Sequence, residues 1–181
     1  LKVAKFGGSS MADAGQYQKV RDILLSDPAR KVVVVSAAGK RDKNDHKITD
    51  LLYLCHAHIR YGVDCTGVFD MITSRYLEIR DALGIRLDLE TEFAELKQRM
   101  NAKSVSKDEL ASRGEYFSAR LMAAFLGFQF VDAADWIRFK FDGSVDQEAS
   151  YALLKDRYKD FGIVIPGFYG MMPDGKIRTF T

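Results

Sequence analysis

Cysteine is scarce in this 181-residue chain. Cys55 and Cys65 form neither a CxxC pair nor a dense framework, which excludes a disulfide scaffold and predicts reduced thiols in a cytoplasmic setting. Histidine is equally thin, at three residues. His56 and His58 lie two apart on a predicted helix, about 200° around the wheel, so they cannot chelate one metal from there. No metal site built from protein side chains is expected. Neither sign of charge dominates: 27 basic and 25 acidic residues leave a formal net charge of +2. That balance argues against nucleic acid or an anionic membrane as partner. No apolar run approaches the roughly 18 residues of a membrane span, and the opening residues read as a strand rather than a signal peptide. Internal repeats and low-complexity segments are absent. What is present is the composition of a soluble globular protein, 47% hydrophobic and 29% charged, long enough for one domain or a large part of one.

Strand and helix patterns alternate. Residues 2–6 read as a strand, and 13–26 as a helix stopped by Asp27-Pro28. The unbroken run Lys31-Val32-Val33-Val34-Val35-Ser36 is the signature of a strand buried on both faces, hence of a parallel sheet under helices. From 48 to about 126 the pattern is mostly helical. Ile48, Leu51, Leu52, Cys55 and Ile59 recur at helical spacing, Asp64 is placed to cap the next helix, and 87–101 forms a polar amphipathic helix. Ser106-x-x-Glu109 is a capping box for a helix that runs to Phe125 and ends at Gly127. Strands follow at 128–132 and 162–165, with a helix over 145–160 between them. Met172-Pro173-Asp174-Gly175 is a turn into an alternating strand, 176–181. The chain stops inside that strand pattern, which predicts a truncated protein.

The chemistry concentrates at glycine. Lys5 precedes a Gly7-Gly8-Ser9-Ser10 turn, and glycines let backbone N–H groups close on a phosphate. A helix N-terminus beyond the turn adds partial positive charge, and Lys5 adds a full one. The pattern is neither a P-loop nor a dinucleotide fingerprint. Two further loops, Ser36-Ala37-Ala38-Gly39 and Gly167-Phe168-Tyr169-Gly170, also follow predicted parallel strands. In an open α/β sheet such loops share one ligand site at the strands' carboxyl ends. The polar segment 40–47 reads as a solvated loop, with a mobile lid as the alternative.

Ser112-Arg113-Gly114-Glu115 sits inside a helix, where glycine costs roughly 1 kcal/mol against alanine. On the wheel Glu109, Arg113, Tyr116 and Arg120 share a solvated sector, with Glu109 and Arg113 paired at i,i+4. Leu110, Phe117, Leu121 and Phe125 form the buried face. Glu115 lies on neither, among Ala111, Ser112, Ser118, Ala119 and Met122. It is either a carboxylate at the edge of the solvated face or one placed to receive an ammonium group.

Lys5-Phe6-Gly7-Gly8-Ser9-Ser10, Val35-Ser36-Ala37, Ile48-Thr49-Asp50-Leu51-Leu52, Ser112-Arg113-Gly114-Glu115 and Pro166-Gly167-Phe168 together resemble the ordered signatures of aspartokinases, within the amino-acid-kinase superfamily. The first and fourth form a specific pair; sister families such as glutamate 5-kinase and uridylate kinase lack the combination. The resemblance implies a three-layer α/β/α sandwich with a mainly parallel sheet, of which residues 1–181 are the N-terminal lobe. It implies ATP-dependent phosphorylation of the L-aspartate side-chain carboxylate, the entry to lysine, threonine and methionine synthesis. Lys5 matches the catalytic lysine that contacts ATP phosphates. Gly7, Gly8 and Ser9 match the phosphate cradle, Ser36 and Thr49 the small polar substrate contacts, and Glu115 the carboxylate that grips the α-ammonium. Mg²⁺ would be held mainly by ATP phosphates, and the full-length protein would be a homo-oligomer.

The sequence departs from the family pattern in two places. Pro166 stands where Gln is usual, and Phe139-Lys140-Phe141 replaces a polar Thr-Asp/Asn. The family's Arg-Gly-Gly-Ser-Asp segment, its nucleotide-base lobe and its ACT regulatory domains are not in these residues. Two alternatives stay open: a sister kinase with another acceptor, and a non-catalytic amino-acid-binding module.

Overall fold

The computed structural model describes residues 1–158 and 161–180. Four strands form a parallel sheet in the order β1 (Lys2–Phe6), β2 (Arg30–Val35), β4 (Ile163–Pro166), β3 (Gln129–Phe130). The register is level at the carboxyl end: Phe6 lies opposite Val35, and Val35 opposite Pro166. Three loops therefore leave the sheet side by side. A separate antiparallel hairpin, β5 (Tyr169–Met171) and β6 (Ile177–Thr179), follows.

Five helices precede the last parallel strand on one face of the sheet: α1 (Ala14–Leu25), α2 (Ile48–Arg60), α3 (Thr66–Ala82), α4 (Glu90–Asn101) and α5 (Lys107–Leu126). Their apolar stripes meet Val33, Val35 and Val164 in the main core, with Tyr17, Ile48, Leu52, Tyr76, Leu110 and Leu121 fully buried. The opposite face carries α6 (Gln147–Arg157) and a small cluster of Val131, Ile163 and Ile165 under Val32, Trp136, Leu154 and Tyr158. The molecule is thus the three-layer α/β/α arrangement expected.

The helix starts and stops follow local chemistry. Ser106 Oγ accepts the Glu109 N–H at 3.0 Å, and Gly127 ends α5 with φ +70°, a left-handed cap that glycine adopts without a Cβ clash. Asp64 Oδ1 accepts from the Thr66 backbone N–H at 3.2 Å and from its hydroxyl, anchoring the start of α3.

Several expectations are corrected. Of the valine run, only Val33 and Val35 are buried; Val32 and Val34 are half-exposed, because α6 covers that face incompletely. It is β4 that is buried on both faces. Gly170 is no loop glycine. It lies in β5, where a Cβ would stand 2.5 Å from Ile137 Cγ2, so glycine there is a packing requirement. Of the strand expected at 176–181, Ile177–Thr179 is formed, and Thr181 lies outside the described residues. The helix expected to 160 ends at Arg157, and residues 159–160 also lie outside. Among the described residues no helix is long and apolar enough to cross a membrane.

Candidate functional site

The first two loops interlock. The Gly39 N–H donates to the Gly8 carbonyl at 2.8 Å. A Cβ on Gly39 would lie 2.7 Å from the Gly8 carbonyl carbon, and one on Gly8 3.2 Å from the Ala37 oxygen. These two glycines are needed for backbone to meet backbone. Gly7 faces open space and lines neither cavity described below. Gly8–Met11 forms a single 3₁₀ turn, and α1 starts only at Ala14. No residue of α1 lines either cavity described below, and its N-terminus is capped by the Asp13 carboxylate, which takes the Gln16 N–H at 2.9 Å.

Glu115 is carried to the same place by α5. A Cβ on Gly114 would sit 2.5 Å from Ala37 Cβ and 3.3 Å from Ile48 Cγ2, so glycine at this position lets the helix backbone touch the Ser36–Gly39 loop. The Tyr76 hydroxyl fastens the contact. It donates to the Gly114 carbonyl at 2.8 Å and accepts the Ala38 N–H at 3.3 Å. Glu115 is 6% exposed, and its Oε2 has no hydrogen-bond partner among the described residues. Burial pushes its carboxyl up to about 7, against the pull of the Ala37 backbone N–H and the Arg113 guanidinium. It is not at the edge of a solvated face.

Two cavities meet at Ser36 and Glu115. The smaller, about 440 Å³, is lined by Gly8, Ser9, Ser36, the Ala37–Lys40 backbone turn, Lys47, Thr49 and Glu115. The larger, about 630 Å³, is lined by Lys5, Ser36 and Glu115 together with the apolar Val34, Trp136, Ile165 and Phe180. Gly167 and Phe168 also line it. Phe168 holds φ +81°, a left-handed backbone that strains a non-glycine residue. The structure thus gathers Lys5, Gly8, Ser9, Ser36, Thr49 and Glu115 around two cavities that share Ser36 and Glu115, and leaves Gly7 outside both.

Chemically the smaller cavity pairs one buried carboxylate with two lysines, three hydroxyls and the backbone of the glycine and alanine loops. That set suits a ligand with both an ammonium and anionic groups. The cations and hydroxyls fit phosphate. Among the described residues no cluster of three or more His, Cys, Asp or Glu could hold a metal ion.

The expected Glu109–Arg113 pair is corrected. Glu109 binds Arg99 of α4, with Arg99 Nη2 at 2.7 Å. Arg113 instead stacks on Tyr116 at 4.4 Å and Tyr169 at 5.5 Å. That sector is half-buried, because α4 packs over it: Glu92 accepts from the Tyr116 hydroxyl and from Arg120 Nη1 at 2.8 Å. Sequence reasoning missed Arg75 altogether. It is buried in α3 and bonds backbone carbonyls of the site loops. No motif marks such a residue; an arginine amid the apolar positions of a helix is the one available sign.

Comparison with known proteins agrees with this geometry. The model of the "Amino acid kinase family" matches residues 1–180. The chain is 34% identical to "Aspartokinase 3" of Bacillus subtilis (strain 168), over all of this chain and 43% of that protein. The solved aspartate kinase of Clostridium acetobutylicum superposes with a TM-score of 0.94 at 43% identity, over 99% of this chain and 41% of that one. E. coli aspartokinase III, solved in complex with lysine and aspartate, gives 0.83 at 26% identity, over 98% and 43%. The chain therefore spans less than half the length of these relatives. Level strand ends, interlocked glycine loops and a buried carboxylate facing them, matched by a family model over 180 of 181 residues, place this chain in the amino acid kinase family.

Proposed function

We propose that this chain is the amino-acid- and phosphate-binding lobe of an aspartate kinase, which transfers the γ-phosphoryl group of ATP to the L-aspartate side-chain carboxylate. The observation that carries the reading is Glu115: buried, with Oε2 unpartnered among the described residues, on the wall of a cavity that otherwise offers cations and hydroxyls. A buried carboxylate oxygen without a partner is costly, and a ligand ammonium is the partner that relieves it. The relatives are aspartokinases, and one is solved with aspartate.

The side-chain carboxylate of aspartate, with a pKa near ~4, is already ionised at neutral pH and needs no general base. A carboxylate oxygen forms the new bond to phosphorus as the bond from phosphorus to the β,γ-bridging oxygen breaks. ADP carries away that electron pair, and 4-phospho-L-aspartate is the product. The difficulty is to bring one anion onto another, so catalysis is positioning and charge neutralisation. Glu115 orients the substrate through its ammonium, while Ser36 and Thr49 contact its polar groups. Lys5 neutralises phosphate charge that moves during transfer, and the Gly8–Ser9 backbone cradles the phosphates. Mg²⁺ held by the nucleotide's phosphates would supply further charge neutralisation. The product enters lysine, threonine and methionine synthesis in this reading. The protein acts in the cytoplasm, as a homo-oligomer whose remaining lobe holds the nucleotide base.

The test is calorimetric titration of the chain with aspartate and with succinate, which has no ammonium. Wild type should prefer aspartate strongly, and Glu115→Gln should lose about 2–5 kcal/mol of aspartate binding while its weak succinate binding stays. Equal discrimination by both proteins would remove Glu115 from the site.

A further inference from the structure

Arg75 lies in the middle of α3, 5% exposed, with its guanidinium surrounded by acceptors. Nη2 donates to the Ala12 carbonyl at 2.9 Å and to the Gly39 carbonyl at 2.8 Å. Nη1 donates to the His46 carbonyl at 3.2 Å and stands 3.3 Å from Asp45 Oδ2. These acceptors belong to three separate segments: the end of the first glycine turn, the Ser36–Gly39 loop and the polar 40–47 loop. Each segment then meets its neighbour directly. Gly39 N–H reaches the Gly8 carbonyl, and Ile48 N–H reaches the Ala38 carbonyl at 3.0 Å. The same Asp45 oxygen is also held by Arg41, whose backbone N–H and Nε lie 3.0 and 2.7 Å away.

Arg75 itself does not line the cavity that Glu115 faces. Its effect there is through backbone. Ser9 belongs to the first segment, Lys40 to the third, and Lys47 and Thr49 follow directly behind the His46 carbonyl. A guanidinium has five donors in a fixed plane and can serve four acceptors at once; an ammonium has three donors at one point and cannot span them.

We propose that Arg75 is a positioning residue, a buried staple that sets the backbone of the Gly8–Ala12 and Ala37–Lys47 segments so that Ser9, Lys40, Lys47 and Thr49 converge on the cavity. The inference rests on the reading of that cavity as the amino-acid and phosphate site. It also assigns the 40–47 segment: an exposed loop with one tethered end, neither wholly solvated nor a free lid.

Arg75→Lys keeps the charge and loses the fork, and Asp45→Asn is the milder second variant should the first not fold. Both are compared with wild type in the full 181-residue chain, at a temperature where circular dichroism shows them folded. The first readout is amide hydrogen exchange; the second is titration with aspartate and with inorganic phosphate. Exchange should accelerate about tenfold or more within residues 8–12 and 37–47 and stay at wild-type rates in the middle of α5. Aspartate and phosphate affinity should fall about tenfold in Arg75→Lys, and by less in Asp45→Asn. A folded variant with wild-type affinity would make Arg75 a packing residue only and overturn the proposal, as would unchanged exchange in the two segments. A wild-type chain that takes up no aspartate would overturn the site reading instead, while the staple still stands or falls on whether the faster exchange is confined to those segments.

Discussion

Gly114 of α5 and Ala37 of the Ser36–Gly39 loop are packed so closely that a Cβ on the glycine would lie 2.5 Å from the alanine methyl. The contact fixes how near Glu115 comes to the loop, since the two residues are consecutive. Gly114→Ala gains roughly 1 kcal/mol of helix propensity but must push α5 off the loop, an overpacking cost of about 1–3 kcal/mol. The expected net result is a lower urea midpoint. Ala37→Gly in the same chain should recover most of that loss, and a double-mutant cycle measures it. Additive losses would show that the helix does not rest on the loop.

The face of α5 toward α4 gives a second test. Tyr116 donates to Glu92, whose Oε2 is buried without a partner among the described residues. Burial and that carboxylate push the Tyr116 hydroxyl up to about 12. Tyr116→Phe removes a hydrogen bond to a charged group, worth about 1.5–3 kcal/mol. Urea unfolding should lose stability in that range at unchanged slope. A loss under about 0.5 kcal/mol, the usual surface value, would return this face to solvent.

Most of α5 was legible because its signals are local. The capping box, the left-handed glycine and the apolar period lie within one stretch, and Glu115 stands out by exclusion from both other faces. The partners of Glu109 and Arg113 were not legible, because α4 brings Arg99 and Glu92 from elsewhere and an i,i+4 pair is too weak to compete. Arg75 was invisible for a stronger reason. Its backbone acceptors lie 29, 36 and 63 residues away, and a carbonyl oxygen leaves no mark on sequence. The valine run misled in one respect: it encodes a parallel strand, but not how much of each face the helices reach.

The chain spans 43% of the length of its Bacillus subtilis relative, and the family's Arg-Gly-Gly-Ser-Asp segment is not in its sequence. Coupled measurement of ADP release from these 181 residues with aspartate and ATP should read background. Robust turnover would mean that the catalytic groups have been misplaced.

Lys5 is exposed on the edge strand and lines the larger cavity. Within an intact kinase carrying this lobe, Lys5→Ala should lower kcat by about 10²-fold or more, because a charge that follows the moving phosphoryl group acts on the transition state. KM for aspartate should move far less. A change confined to KM would make Lys5 a ground-state contact.

The raised carboxyl of Glu115 sets a pH window. In the unfolded chain this group titrates near its ordinary 4.5, and in the folded chain at about 7. Between those values the folded state holds the extra proton, so stability falls as pH rises, by at most about 1.4 kcal/mol per pH unit. Aspartate affinity runs the opposite way. Its ammonium needs the ionised carboxylate, so binding should strengthen as pH climbs through about 7 and level off above it, with a slope of at most about tenfold per unit below. Arg113 and the Ala37 N–H favour the ionised form but do not outweigh burial. Glu115→Gln should flatten both curves at once, the unfolding free energy from pH 4.5 to 7 and the aspartate affinity around pH 7. If the affinity curve keeps its slope in Glu115→Gln, another group carries the proton and the ammonium contact is assigned to the wrong residue.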